Sequence, residues 1–228
     1  MEMLQSPDFW IGLVKIVWIN IILSGDNAVV IALAARTLPQ HQQRLAVLWG
    51  SGAAVVLRAA LTVVAAKLLE LPYLQIAGGL LLLWIGVQLL AEGDDEGGGE
   101  VKHHGSLASA VRTILIADLV MSLDNVIAVA AAAQGSITLL VLGLAISIPL
   151  VVFGATLMVK LMERFPVIVV AGAGLIGWVG GETFVNDHVF AEYLQASPWL
   201  HYVGAVFGAV LVIAIGKIAQ LRSTRQAV

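Results

Sequence analysis

The feature that most constrains this chain is the length of its apolar runs. Segments of about 20 or more residues, nearly free of charge, recur along it, and about 20 is the length an α-helix needs to cross the hydrocarbon core of a bilayer. Inside lipid every backbone N–H and C=O must find its partner within the protein, so only helices or a closed barrel can span. The runs lack the period-two alternation of barrel strands and therefore predict helices. Composition matters here only as a check. Hydrophobic residues make up 60% of the chain and charged residues 12%, against roughly 25% charged in an ordinary soluble domain. A soluble core cannot bury this much apolar sequence. The N-terminal stretch is acidic (Glu2, Asp8) and its apolar run is too long for a signal peptide, so it reads as a first span.

Seven apolar segments are expected, at 9–35, 43–68, 71–91, 107–133, 137–160, 166–185 and 200–220. Polar or proline-bearing breaks separate them. The largest is 92–106, which carries Asp94, Asp95, Glu96, three glycines, Glu100, Lys102, His103 and His104 and reads as a solvated linker, with a cation-collecting or sensing role as its sharper interpretation. Counting loops alternately, Arg36, Arg44, Lys102, Lys160, Arg164, Lys217, Arg222 and Arg225 fall on one side, while the other holds little beyond Lys67. The positive-inside rule then predicts an N-terminus outside and a C-terminus in the cytoplasm, which an odd number of spans satisfies.

The chain also repeats itself. The stretch Asn20 to Ala32, containing Ser24-Gly25-Asp26-Asn27, matches Asp118 to Ala130, containing Ser122-Leu123-Asp124-Asn125. Lys67, Glu70 and Pro72 match Lys160, Glu163 and Pro166; Trp84, Gly86 and Gln88 match Trp178, Gly180 and Glu182. This predicts one transmembrane domain over 1–228, with a first repeat at 9–91, the linker at 92–106, a second repeat at 107–185 and a seventh helix at 200–220 outside the repeat. Three helices per copy force the second copy to cross the membrane upside down, the inverted-repeat plan of many secondary transporters.

Acids inside apolar segments carry the chemistry. Asp26, Asp118, Asp124 and Glu182 lie within or at the ends of predicted spans. Each such carboxylate at a helix centre costs about 2.5–3.5 kcal/mol on insertion scales, so the group must be paired, protonated or bound to a cation. Arg58 is the basic partner within a span. It can neutralise one acid as a structural counter-ion, and the negative surplus points to cation binding. Asn20, Ser24 and Asn27 form one helical stripe, repeated by Asp118, Ser122 and Asn125. Asp26 and Asp124 lie about 100° round from it, unless Ser24-Gly25 unwinds the first span and lets Asp26 join. The site expected is therefore Asp26, Asn27, Asp118, Asp124 and Asn125, with Asn20, Ser24, Ser122 and Glu182 as additional members. Carboxylate, amide and hydroxyl oxygens, with no cysteine in the chain, suit hard cations such as Mn²⁺, Mg²⁺ or Ca²⁺. The same acids can carry protons as coupling ions. The glycines, among them Gly50, Gly52, Gly172, Gly177, Gly204 and Gly208, are expected to let helices approach closely.

The paired motifs around Asp26-Asn27 and Asp124-Asn125, with the stretch from Gly174 to Glu182, resemble the TerC family of bacterial membrane proteins, within a superfamily of amino-acid and cation exporters. The likeness runs over nearly the whole chain. It implies a seven-helix, all-α export fold in the bacterial inner membrane, Mn²⁺ efflux for several members, and site roles for Asp26, Asn27, Asp118, Asp124 and Asn125. Related sequences often carry Glu where this chain has Asn20, which removes a carboxylate. The leading expectation is a Mn²⁺ exporter working by alternating access. The alternatives are a proton-coupled exporter of a small organic solute such as an amino acid, and a non-transporting scaffold in metal homeostasis. Neither a nucleophile–base pair nor a phosphate-binding glycine loop occurs, so no enzyme is expected. No nucleic-acid partner and no prosthetic group are expected either. A spacing such as Gly204-x-x-x-Gly208 permits self-association.

Overall fold

Long apolar runs with turn residues between them can satisfy their backbones only as helices, and helices are what the chain forms. The computed structural model describes residues 7–22, 25–68, 71–91, 106–133 and 136–226. Among these, the elements are α1 (Pro7–Ile22), α2 (Gly25–Ala35), α3 (Gln40–Leu68), α4 (Leu74–Ala91), α5 (Leu107–Ala133), α6 (Ile137–Arg164), α7 (Pro166–Val185), a 3₁₀ turn (His188–Phe190), α8 (Ala191–Ala196) and α9 (Leu200–Gln226), with no strand. Among the described residues, five helices are long and apolar enough to cross a membrane: α3, α4, α6, α7 and α9; α1 and α2 are shorter apolar helices. The run expected as one span at 9–35 is therefore described as two helices flanking residues 23–24. The acidic linker, including His103 and His104, lies outside the described residues.

Local chemistry sets the boundaries. Ser136 caps α6 by accepting the Leu139 N–H at 3.2 Å. The backbone of Phe165 is extended and Pro166 opens α7, because the residue before proline is barred from the helical region. At the other end of the bundle Asp187 accepts N–H bonds from Tyr73 (3.1 Å), Gln75 (3.0 Å), Ile76 (3.2 Å) and Val189 (3.0 Å). A carboxylate that follows α7 thus caps the N-terminus of α4. The polar connection between α7 and α9 is itself largely helical, with α8 following the 3₁₀ turn. At the opposite end, Arg36 donates to the Leu89 carbonyl at 2.8 Å and so satisfies the last turn of α4.

The core is apolar, as in a soluble protein, but so is the outer surface. Val56, Phe153, Val167, Phe207 and Val210 are at least 60% exposed, as are Trp18, Trp49, Trp84 and Trp199. Arg58 and Asp118 are 6% exposed. Apolar surface on this scale has no place in water and finds its solvent in acyl chains.

The glycines explain which helices touch. A methyl at Gly181 would strike the Gly204 carbonyl, one at Gly208 would strike the Gly177 carbonyl, and one at Gly79 would lie 2.6 Å from the Gly180 carbonyl. Helices α4, α7 and α9 therefore pack backbone to backbone. The Gly204–Gly208 face is filled by α7 within the same chain. Elsewhere, a methyl at Gly50 would sit 2.7 Å from Ile114 of α5, and one at Gly143 of α6 would strike Ile16 of α1. Gly52, expected at a close approach, has nothing within 4 Å of the position a methyl would take, and neither has Gly25.

Candidate functional site

Four helices, α2, α3, α5 and α6, bring the polar residues together. Arg58 projects from α3 and Asp118 from α5, and the guanidinium Nη2 meets Asp118 Oδ1 at 2.6 Å. One turn along α5, Ser122 Oγ accepts from Arg58 Nε at 3.1 Å. Among the described residues, Asp118 is an acid with which Arg58 forms an ion pair. An ion pair buried this deeply is held by mutual need: removing either partner strands the other charge in a medium that cannot solvate it.

Beside the pair lies a cavity of about 20 Å³, lined by Asn27, Ser51, Arg58, Asp118 and Ser147 together with Ile31, Ala54, Val55, Leu144 and Val151. Water-sized occupants need about 10–15 Å³, so one water or one small ion fits. Two oxygens around it are unsatisfied: Asp118 Oδ2 and Ser51 Oγ are buried without a hydrogen-bond partner among the described residues. Ser51 is unusual in this chain. The hydroxyls of Thr62, Ser147 and Thr156 each donate back to the carbonyl four residues earlier, at 2.7–2.8 Å, the ordinary resting place of a helical hydroxyl. Ser147 keeps its lone pairs free to face the cavity.

The remaining expected residues are distributed as follows. Asn27 is buried in the first turn of α2 and lines the cavity. Asp26 is half-buried at the start of the same helix, and its Oδ1 accepts the Asn27 N–H at 2.7 Å. Asn125 is half-buried on α5, and Glu182 is half-buried in the last turn of α7; neither lines the cavity. Asp124 belongs to α5 and Asn20 to α1, but their side chains lie outside the described residues, as does Ser24 altogether. Among the described residues no three His, Cys, Asp or Glu side chains converge on one point. The oxygens that do converge come from one carboxylate, one amide and two serines. Ser51 and Ser147 were missed by sequence reasoning. Their one signal was position: Gly50-Ser51-Gly52 and Ser147-x-Pro149 are polar or helix-disturbing interruptions in otherwise apolar runs.

Comparisons with known proteins place the chain. The model of the TerC family of integral membrane proteins matches residues 5–224. The membrane protein YjbE of Bacillus subtilis is 48% identical over 190 residues, covering 83% of this chain and 86% of YjbE. YceF of the same organism is 24% identical over 97% of this chain and 88% of its own length. The inner membrane protein YoaE of Escherichia coli is 25% identical over 92% of this chain, which spans 44% of YoaE. No solved structure matches. With apolar helices, an apolar outer surface and a family match over residues 5–224, the chain belongs to the TerC family of integral membrane proteins.

Proposed function

We propose that this protein is a transporter that exports a small divalent cation, Mn²⁺ foremost, by alternating access. The observation that carries the reading is the buried cavity between α2, α3, α5 and α6. It is sized for one ion, and its lining presents hard oxygen donors, two of them unsatisfied. Carboxylate, amide and hydroxyl oxygens without a thiolate favour Mn²⁺ or Mg²⁺ over Cu(I) or Zn²⁺. Asp26 and Asp124, at equivalent places in the two motifs, supply the further negative charge a divalent ion needs on its path.

The architecture behind the proposal is seven spans in two inverted repeats, with α1 and α2 sharing one span, α5 forming the fourth, and α9 outside the repeat. Contact exchange supports it. The register that matches Asp26 with Asp124 also matches Ile16 with Ile114, and the register that matches Lys67 with Lys160 matches Gly50 with Gly143. Gly50 packs on Ile114 and Gly143 on Ile16, the swap that a pseudo-two-fold axis demands. Arg36, Arg44 and Arg164 then face the cytoplasm, and Asp187 faces outward, in the plasma membrane of a bacterium.

The test is Mn²⁺ flux in proteoliposomes, comparing wild type with Asp26→Asn, Asp118→Asn and Asp124→Asn. Flux in the wild type that is lost in all three variants supports an ion path through these residues. A wild type that moves no Mn²⁺ under a proton gradient of either sign sinks the reading and leaves a non-transporting metal-homeostasis role.

A further inference from the structure

A carrier that delivers a cation must return without it. The empty site then holds a buried carboxylate, Asp118, which is 6% exposed. An isolated carboxylate at that depth is penalised by several kcal/mol even after the protein relaxes. The site would resist crossing the membrane empty unless another positive charge took the ion's place.

The structure contains that charge. Arg58 holds Asp118 through Oδ1 only; Oδ2 is buried, without a partner among the described residues, and belongs to a residue that lines the ion-sized cavity. The guanidinium lines the same cavity. A divalent ion seated there and a guanidinium on the same carboxylate repel each other in a poorly screening interior, so the two compete for Asp118. Ser122 gives the guanidinium a second hold. Its Oγ accepts from Nε, not from the Nη2 that binds Asp118, so the Nη2 end can swing off the carboxylate while Nε stays tethered. Ser51, whose hydroxyl has no partner among the described residues, lines the same cavity and offers a further donor oxygen.

Resting on the transport reading above, we infer that Arg58 is a tethered stand-in for the transported cation: the ion displaces it from Asp118 on loading, and it re-pairs with Asp118 after release so that the empty carrier can reorient. Arg58 then weakens ion binding and is needed for the return step, but not for the crossing of the loaded form. It is a positioning residue for the cycle, not an ion ligand.

The consequence separates two assays that a purely structural role would not separate. In proteoliposomes made with the full chain, Mn²⁺–Mn²⁺ exchange uses only the loaded form, whereas net Mn²⁺ efflux into metal-free buffer also requires the empty form to return. Arg58→Gln keeps exchange, slows net efflux by at least about tenfold and tightens Mn²⁺ binding by a similar factor. Arg58→Lys retains the charge, keeps net efflux and leaves Mn²⁺ affinity within about threefold of wild type. Equal loss of exchange and net efflux in folded Arg58→Gln, or no change in either, overturns the inference. Should Arg58→Gln fail to fold, loss of net efflux in folded Arg58→Lys overturns it and retention supports it. Wild-type vesicles that neither exchange nor release Mn²⁺ overturn the transport reading and this inference with it; normal wild-type transport with an unaltered Arg58→Gln overturns this inference alone.

Discussion

Tyr73 and Asp187 are 114 residues apart, and the backbone N–H of the first donates to the carboxylate of the second at 3.1 Å. Tyr73 is the one described non-glycine residue with a positive φ, 68°, a conformation that costs an ordinary side chain about 1–2 kcal/mol. The bond to Asp187 and the two that follow, from Gln75 and Ile76, hold the chain there at the start of α4. Burial alone pushes the Asp187 carboxyl up, but the N–H bonds from Val189, Tyr73, Ile76 and Gln75 outweigh it and hold the group below its ordinary value of 3.8.

The sign of the pH effect follows. A carboxylate whose folded value is depressed contributes stability that is complete above its unfolded value of 3.8 and is lost as pH falls through the lower folded value. Asp187→Ala should cost about 2–3 kcal/mol at about pH 6, by thermal or denaturant unfolding in detergent, and the gap to wild type should shrink towards about pH 3. A gap that does not change with pH would place the cap's contribution outside the carboxylate charge.

The buried pair at the site should couple strongly. Arg58→Met leaves Asp118 without its counter-ion and should destabilise the folded protein by about 3–5 kcal/mol, while adding Asp118→Leu should recover much of the loss. A double-mutant cycle on unfolding midpoints reads the coupling. Additive single effects would mean that the pair is not held in solution.

Ser51 sets stability against function. Removing a buried hydroxyl that has no partner relieves about 1 kcal/mol or more, so Ser51→Ala should be as stable as wild type or more so. It should also weaken Mn²⁺ binding by about tenfold, since a donor oxygen is lost. Equilibrium binding and melting curves on one preparation check both halves.

The glycine seam predicts opposite responses to one chemical change. Gly181→Ala drives a methyl into the Gly204 carbonyl and should cost about 1–3 kcal/mol as α7 and α9 are forced apart. Gly52→Ala meets nothing within 4 Å and should stabilise α3 by about 0.5–1 kcal/mol, the usual gain of alanine over glycine inside a helix. Melting temperatures of the two variants, side by side, test the packing of α7 on α9.

The proposed orientation is directly testable because the chain has no cysteine. Gly98→Cys in the acidic linker should react with an impermeant maleimide only after the membrane is opened, and Gln195→Cys in α8 should react in intact cells. The reverse pattern would invert the topology.

The helices were legible because span length and backbone satisfaction leave a polar-free run of this kind no other form. The pairing of Arg58 with an acid was legible because Arg58 lies deep within a predicted span, where a base needs a counter-charge; that Asp118 supplies one needed the packing of α3 on α5. The serines were not legible. A lone hydroxyl in an apolar helix normally bonds its own backbone, as Ser147 does, and no local pattern reveals that Ser51 does not. Asp187 was hidden for a different reason. It lies in a polar connection where any residue reads as solvated, and the N–H groups it caps belong to a turn 111 to 114 positions away. The Gly204–Gly208 spacing was read correctly as a close-approach face, but a spacing does not say whether the partner is another chain or, as here, α7.

The separation of Arg58 and Asp118 along the chain, 60 residues, also sets an order of assembly. Arg58 leaves the ribosome well before the carboxylate it pairs with in the fold, so α3 reaches the bilayer before Asp118 is made, and a lone arginine at a helix centre costs about 2.5–3.5 kcal/mol on insertion scales. The helix therefore depends on its neighbours, or on the insertion machinery, until α5 arrives. Biogenesis of the first half is tied to synthesis of the second, and a chain stopped between the two is left with a span it cannot comfortably keep in lipid.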